Sequence, residues 1–201
     1  MSDDTSRIET RCIHGGQAHE PVTGAVMQPV FQTSTYAQPW PAKHTGYEYA
    51  RTQNPTREAL ERCIADLEGA TEAVCFGSGL AATSTVIQAL GSGARVVCGD
   101  DLYGGTYRVF TQVFAKFGVE FSFVDLATAN LEEAIPEDTD LVWLESPTNP
   151  LLKITDIRKV AERARQVGAT LAVDNTFATP IFQRPLELGA DLVVHLSLIH
   201  I

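Results

Sequence analysis

The feature that most constrains this chain is a pattern that recurs after residue 70. A short, largely apolar run is followed by a polar or glycine-rich turn, and then by a helical stretch. The apolar runs fall at 72–76, 95–98, 120–124, 141–145, 170–173 and 191–195. Several have no polar face, as strands covered on both sides require. Strands that alternate with helices predict an α/β fold with a parallel sheet between helical layers. The helices are expected at 55–67, 78–90 and 105–117, and after Thr155. Asn54 serves as N-cap and Pro55 as first residue of the first, with Leu60, Ile64 and Leu67 on one face. Gly69, Gly91, Gly118 and Gly168 read as helix stops, and Thr155 as the cap of a helix carrying Ile157, Val160, Ala161 and Ala164.

Residues 1–54 read differently, as an extended arm with Pro21, Pro29, Pro39 and Pro41 and little helical periodicity. Val30, Phe31, Tyr36, Trp40, Tyr47 and Tyr49 are costly to leave in water, so the arm is expected to pack on something, another subunit being one candidate.

Composition narrows the function. Hydrophobic residues make up 44% of the 201 residues, which excludes a mainly disordered chain. The net charge of −10 repels phosphate backbones, so no nucleic-acid partner is expected, although one local anion pocket is compatible with it. Cys12, Cys63, Cys75 and Cys98 form no C-x-x-C pair, so neither a metal site nor a disulfide framework is expected. Free thiols suit a reduced, cytoplasmic setting. The polar N-terminus is no signal peptide, and the longest apolar stretch, 192–201, is short for a membrane span.

In parallel sheets, ligands bind beyond the carboxyl ends of the strands. The run Gly77-Ser78-Gly79-Leu80-Ala81-Ala82 follows a strand and opens a helix, where free N–H groups favour an anion. It also fits G-x-G-x-x-A with Asp100 about 20 residues on, a dinucleotide pattern. A nucleotide, another phosphate and a structural turn all remain open here. Asp174 ends a strand as either a turn cap or the partner of a buried cation. Tyr103, beside Gly104 and Gly105, either lies on a planar ligand or covers the sheet edge. Asn149, between Pro147 and Pro150, either donates to a ligand oxygen or bonds its own backbone. Tyr49 and Arg51 are either solvated or reach across a dimer to clamp a phosphate.

Taken in order, Tyr49-Ala-Arg51-Thr-Gln-Asn54-Pro-Thr-Arg57, Gly77-Ser-Gly79-Leu80, Asp101-Leu-Tyr103-Gly-Gly105, Glu145-Ser-Pro-Thr-Asn149-Pro150 and Val173-Asp174-Asn-Thr176 resemble the transsulfuration family of pyridoxal-phosphate enzymes. That family includes cystathionine γ-synthase and γ-lyase, and the resemblance covers about residues 10–195. It implies the aspartate-aminotransferase type of fold (fold type I), here as a truncated large domain over 55–195 behind the arm. It implies pyridoxal 5′-phosphate as cofactor, a small sulfur amino acid as substrate, and a homotetramer whose sites are shared across dimers. By resemblance, Gly79 and Leu80 hold the phosphate, Tyr103 stacks on the ring and serves catalysis, and Asp174 salt-bridges the ring nitrogen. Asn149 touches the ring oxygen or substrate carboxylate, Thr176 supports the ring, and Tyr49 and Arg51 reach the neighbouring subunit's phosphate. The implied activity is γ-elimination or γ-replacement on cystathionine or an activated homoserine. Gly105 stands where methionine γ-lyases carry cysteine.

The resemblance breaks at the family's Schiff-base lysine, in a motif reading like H-S-x-T-K-Y. Here the chain reads His195-Leu196-Ser197-Leu198-Ile199-His200-Ile201, with Ile199 at the lysine position. The lysines are Lys43, Lys116, Lys153 and Lys159. Residues 196–201 are therefore expected to be foreign to the fold, and the chain to be an inactive, truncated piece. The competing readings are a Rossmann-like dinucleotide module and a catalytically silent subunit that only oligomerises.

Overall fold

The computed structural model describes residues 6–197. By compactness the chain divides into two units, Met1–Cys75 and Phe76–Ile201, so the first long helix is grouped with the arm.

In the first unit, α1 (Ile8–His14) and α2 (Pro55–Glu68) pack together. The short α1 lies within the segment read as extended. It is tied to α2 by Arg11, whose guanidinium pairs with Asp66 at 2.9 Å. At the turn after α1, Gly16 has φ +65°, and a Cβ there would run into the α2 backbone at Arg62. Asn54 caps α2 as predicted, its side chain accepting from Thr56 N at 2.9 Å and Arg57 N at 3.4 Å. Gly69 ends the helix in the left-handed conformation. The buried face is Ala59, Cys63 and Leu67, whereas Leu60 is 53% exposed. In the arm, the Tyr36 and Tyr47 rings lie 5.3 Å apart, and the Tyr47 hydroxyl donates to Glu58. Val30 and Trp40 stay exposed.

The run 72–76 is not a strand. It has no neighbouring strand among the described residues; Val74 is 69% exposed, and the Cys75 N–H goes instead to the Glu61 side chain at 2.8 Å.

The second unit opens with α3 (Gly79–Leu90) and then β1 (Arg95–Gly99) and α4 (Gly104–Gln112). There follow β2 (Glu120–Val124), α5 (Leu131–Ala134), β3 (Leu141–Glu145), α6 (Ile157–Val167), β4 (Thr170–Asp174), α7 (Thr179–Phe182) and β5 (Leu192–Val194). The sheet order is β2-β1-β3-β4-β5, parallel throughout.

Alternation along the strands sorts the core into two layers. Val96, Cys98, Leu141, Trp143, Ala172 and Val194 pack with Ile87 of α3 and Phe110 of α4. Val97, Val142, Leu144, Leu171 and Val173 pack with Val160 and Ala164 of α6. Phe110 joins the first layer by stacking on Phe121 and meeting Trp143 edge-on. Burying one such side chain contributes about 1.5–3 kcal/mol.

Two helix ends differ from the sequence reading. The helix expected over 105–117 stops at Gln112 and continues as a 3-10 turn, Phe114–Phe117, which swings Phe114 into the core. The cap of α6 is Asp156, accepting from Arg158 N and Lys159 N. Thr155 is buried instead, exchanging hydrogen bonds with Ser146.

Candidate active site

The site is built at the carboxyl ends of β1, β3, β4 and β5, on the α3–α4 side. Ser78 caps α3, its hydroxyl and carbonyl both accepting from Ala81 N. The Gly79 and Leu80 N–H groups, in the first turn, have no acceptor among the described residues. They form an anion cradle with the positive end of a helix behind it. Gly79 also allows a close approach: a Cβ there would lie 3.3 Å from the Leu196 Cβ.

Asp174 closes β4 and lies beside Glu145 of β3 in register, so both carboxyls project from the same face. One Asp174 oxygen accepts from Thr176 N at 3.0 Å. The Thr176 hydroxyl oxygen accepts from Leu196 N at 3.0 Å, and the Leu196 side chain lies against Gly79. Asp174, Thr176 and Gly79 are thus linked through the strand β5 turn. Asp174 caps its own turn, as one reading held, but its second oxygen carries no such duty.

Tyr103, between β1 and α4, is 46% exposed. Its N–H donates to both Glu145 oxygens, at 3.1 and 3.0 Å. Its ring lies over Gly105, where a Cβ would come within 3.0 Å of Cδ1 and closer still to Cε1. Glu145 itself is only 4% exposed, and its carboxyl is pushed up to about 8. Burial is the first cause, and repulsion from Asp174 and Asp101 adds to it. The Tyr103 N–H opposes the shift, helped by the Trp143 indole N–H, which lies on the same face without reaching hydrogen-bond geometry.

Asn149 sits between the cis peptides Ser146–Pro147 and Asn149–Pro150. Its loop is pinned by buried Asp101, which accepts from the Thr148 hydroxyl and from Leu151 N at 2.9 Å. No backbone bond occupies the Asn149 amide among the described residues. Asp100 is already engaged: both its oxygens take Lys153 Nζ, at 3.0 and 2.9 Å, and Lys153 also reaches Asp125 at 3.0 Å. The acidic residue of the dinucleotide pattern is therefore spent on an ion pair.

Tyr49 and Arg51 belong to the first unit. Arg51 lies 4.9 Å over the Tyr49 ring, and Arg57 holds their segment by donating to the carbonyls of Ala50 and Thr52. Ile199, the residue read at the lysine position, lies outside the described residues, as do Leu198, His200 and Ile201. Among the described residues, no cluster of His, Cys, Asp or Glu is placed to hold a metal, and no helix is long and apolar enough to cross a membrane.

Sequence reasoning placed Gly79, Leu80, Tyr103, Asp174 and Thr176 as candidates, and the fold brings them to one end of the sheet. It passed over Glu145 and Asp101 as individual residues. A carboxylate closing a strand buried on both faces was the available signal for Glu145.

The donor set suits pyridoxal 5′-phosphate. The α3 cradle matches the phosphate, the second Asp174 oxygen, with no hydrogen bond among the described residues, matches a protonated ring nitrogen, and the exposed Tyr103 ring offers an aromatic face.

Comparison with known proteins agrees. Residues 9–198 match the family described as Cys/Met metabolism PLP-dependent enzyme. A cystathionine β-lyase of Coxiella burnetii is 53% identical over 192 residues, covering 94% of this chain and 50% of the relative. A probable cystathionine γ-synthase of Herpetosiphon aurantiacus is 54% identical, covering 92% and 59%. The crystal structure of cystathionine γ-lyase from Lactobacillus plantarum complexed with L-serine matches with a TM-score of 0.90 at 43% identity, covering 94% and 50%. The chain spans about half the length of the relatives it matches. With 43–54% identity and a family match across nearly its whole length, this chain belongs to the Cys/Met metabolism PLP-dependent enzymes.

Proposed function

We propose that this chain forms the cofactor-binding part of a cytoplasmic enzyme that acts on cystathionine or an activated homoserine by γ-elimination or γ-replacement. The convergence of the α3 N-terminus, Tyr103 and Asp174 at one sheet end carries the reading. The shared word cystathionine in the relatives' names supports the substrate class.

In this reading Gly79 and Leu80 N–H groups hold the cofactor phosphate, and Asp174 keeps the ring nitrogen protonated. Tyr103 covers the ring face, Thr176 supports the ring, and Asn149 directs its amide to the ring oxygen or the substrate carboxylate. Tyr49 and Arg51 serve the phosphate of a neighbouring subunit in a homotetramer. When bound, the cofactor supplies an electron sink for bonds broken next to the amino-bearing carbon. The protein's share is orientation, and a fixed carboxylate opposite a cation in a site of low polarity. Lys153 is held between Asp100 and Asp125, so we assign it no proton shuttle.

Calorimetry with 4′-deoxypyridoxine 5′-phosphate, which lacks the aldehyde, tests the site without needing a lysine. Saturable binding that Asp174→Ala abolishes is expected, with none for NAD. No saturable binding of the analogue, or tight binding of NAD, overturns the reading. With the full-length protein and cystathionine, release of cysteine supports the γ-assignment, and release of homocysteine with pyruvate overturns it.

A further inference from the structure

Glu145 has no part in the roles above, yet it is the most deeply buried carboxyl at the site. It lies at the end of β3, beside Asp174 in register, and both its oxygens receive the Tyr103 N–H. The charged and titratable groups facing it are Asp174 of β4, Asp101 before α4, and Cys98 of β1. The Trp143 indole lies beneath it on the same face. No cation among the described residues pairs with it.

We propose that Glu145 is a positioning residue for this site: it fixes Tyr103 by its main chain and, standing beside Asp174, couples the hold on Tyr103 to the arrival of a cationic ring.

The physical argument has two parts. First, Tyr103 lies on the short connection between β1 and α4, and its side chain is nearly half exposed. The ring lies close against Gly105, which has no side chain to grip it. Its fixed point is the N–H, aimed at a carboxyl on the neighbouring strand. A hydrogen bond to a carboxylate is stronger than one to a neutral acceptor. Second, two carboxyls on adjacent strands of one face cannot both ionise without cost. Burial, with the Asp174 charge adding to it, keeps a proton on Glu145 while no cation stands at Asp174, which weakens its grip on the Tyr103 N–H. A protonated ring nitrogen at Asp174 removes that repulsion. With that part of the penalty gone, Glu145 gives up its proton to solvent at lower pH, and its carboxylate tightens on the Tyr103 N–H and holds the aromatic face as the ring arrives.

This rests on the cofactor reading above, and the two fail separately. The experiment uses the full chain, labelled with nitrogen-15, as wild type, Glu145→Gln and Glu145→Ala. The Tyr103 amide proton is followed from pH 6 to 9, without ligand and with saturating 4′-deoxypyridoxine 5′-phosphate. The expected result is a titration of the Tyr103 amide in the empty wild type that moves to lower pH with ligand and is absent from Glu145→Gln. Glu145→Ala should weaken analogue binding about tenfold, the scale of one hydrogen bond to a charged group, while Glu145→Gln, which keeps an acceptor, restores most of it but loses the pH slope. A role in folding alone would move neither the amide titration nor the pH slope of binding. If the Tyr103 amide does not titrate, or if Glu145→Gln binds with the wild-type pH slope, the proposal is overturned. If wild type binds no analogue, the cofactor reading fails and with it the coupling; the amide titration of the empty chain still decides whether Glu145 holds Tyr103.

Discussion

Replacing Glu145 with Gln should remove a pH dependence from folding. The carboxyl titrates near 4.5 in its ordinary state and is pushed up to about 8 in the fold. Between those values the native protein holds a proton that the unfolded chain has lost, so stability falls as pH rises. Below the window both states are protonated, above it both are ionised, and in neither range does the group contribute a slope. Each pH unit inside the window is worth at most about 1.4 kcal/mol, so the whole span has a ceiling of about 5 kcal/mol. Water drawn in by an ionised Glu145 and local relaxation reduce this, and we expect about 2–3 kcal/mol. The assay is urea unfolding of wild type and Glu145→Gln from pH 5 to 9. The difference between the two proteins cancels titrations they share, and Gln keeps an acceptor for the Tyr103 N–H. Relative to the variant, wild type should lose stability as pH rises to about 8 and level off above it. A difference that stays constant within about 0.5 kcal/mol across that range refutes the assignment of a buried, neutral Glu145.

Gly105→Ala should push the Tyr103 ring off its present seat, since the added Cβ meets Cδ1 at 3.0 Å; a crystal structure of the variant with an unmoved ring refutes this. Asn54→Ala removes the cap on Thr56 N and Arg57 N as well as the hydrogen bond that the Asn54 amide donates to the Phe31 carbonyl, and should cost about 1–2 kcal/mol in chemical denaturation. Lys153→Met takes away the hydrogen bond that is the main reason the Asp125 carboxyl sits below its ordinary value. Carbon-13 carboxyl titration should show Asp125 moving back up, and an unchanged Asp125 means another group holds it down.

Much of the second unit was legible because its signals are local. The runs at 95–98, 120–124, 141–145 and 170–173 became strands, and glycines ended helices where the chain needs a left-handed residue. The failures came where a partner decides. The run 72–76 has strand composition, but a strand needs a neighbour, and its Cys75 N–H bonds to Glu61 instead. Thr155 looks like a cap as well as Asp156 does, until Ser146 claims it. Helix α1 is too short for its periodicity to stand out, and the Arg11–Asp66 pair that ties it to α2 spans 55 residues of sequence.

The same distinction explains the site. Which residues stand at strand ends follows from the alternation of strands and helices, so Gly79, Tyr103 and Asp174 could be nominated from the sequence. What holds them follows from bonds between turns that are far apart in the chain. The β1 turn is tied to β3 twice, by Tyr103 N–H to Glu145 and by Asp101 to Thr148 and Leu151. The β2 end is tied to the same loop through Asp125 and Lys153, and the β4 turn to the β5 end through Thr176 and Leu196. Asp100 and Asp101 are adjacent and identical in type, yet one is half-exposed in an ion pair and the other is buried as the clamp of the Asn149 loop. Sequence position cannot tell them apart, because both reach the loop after β3, one at the Lys153 ammonium and the other at the buried Thr148 hydroxyl and Leu151 N–H. A substitution at Asp101 or Glu145 should therefore act on the site through geometry, shifting Asn149 or Tyr103 without touching any group bound there.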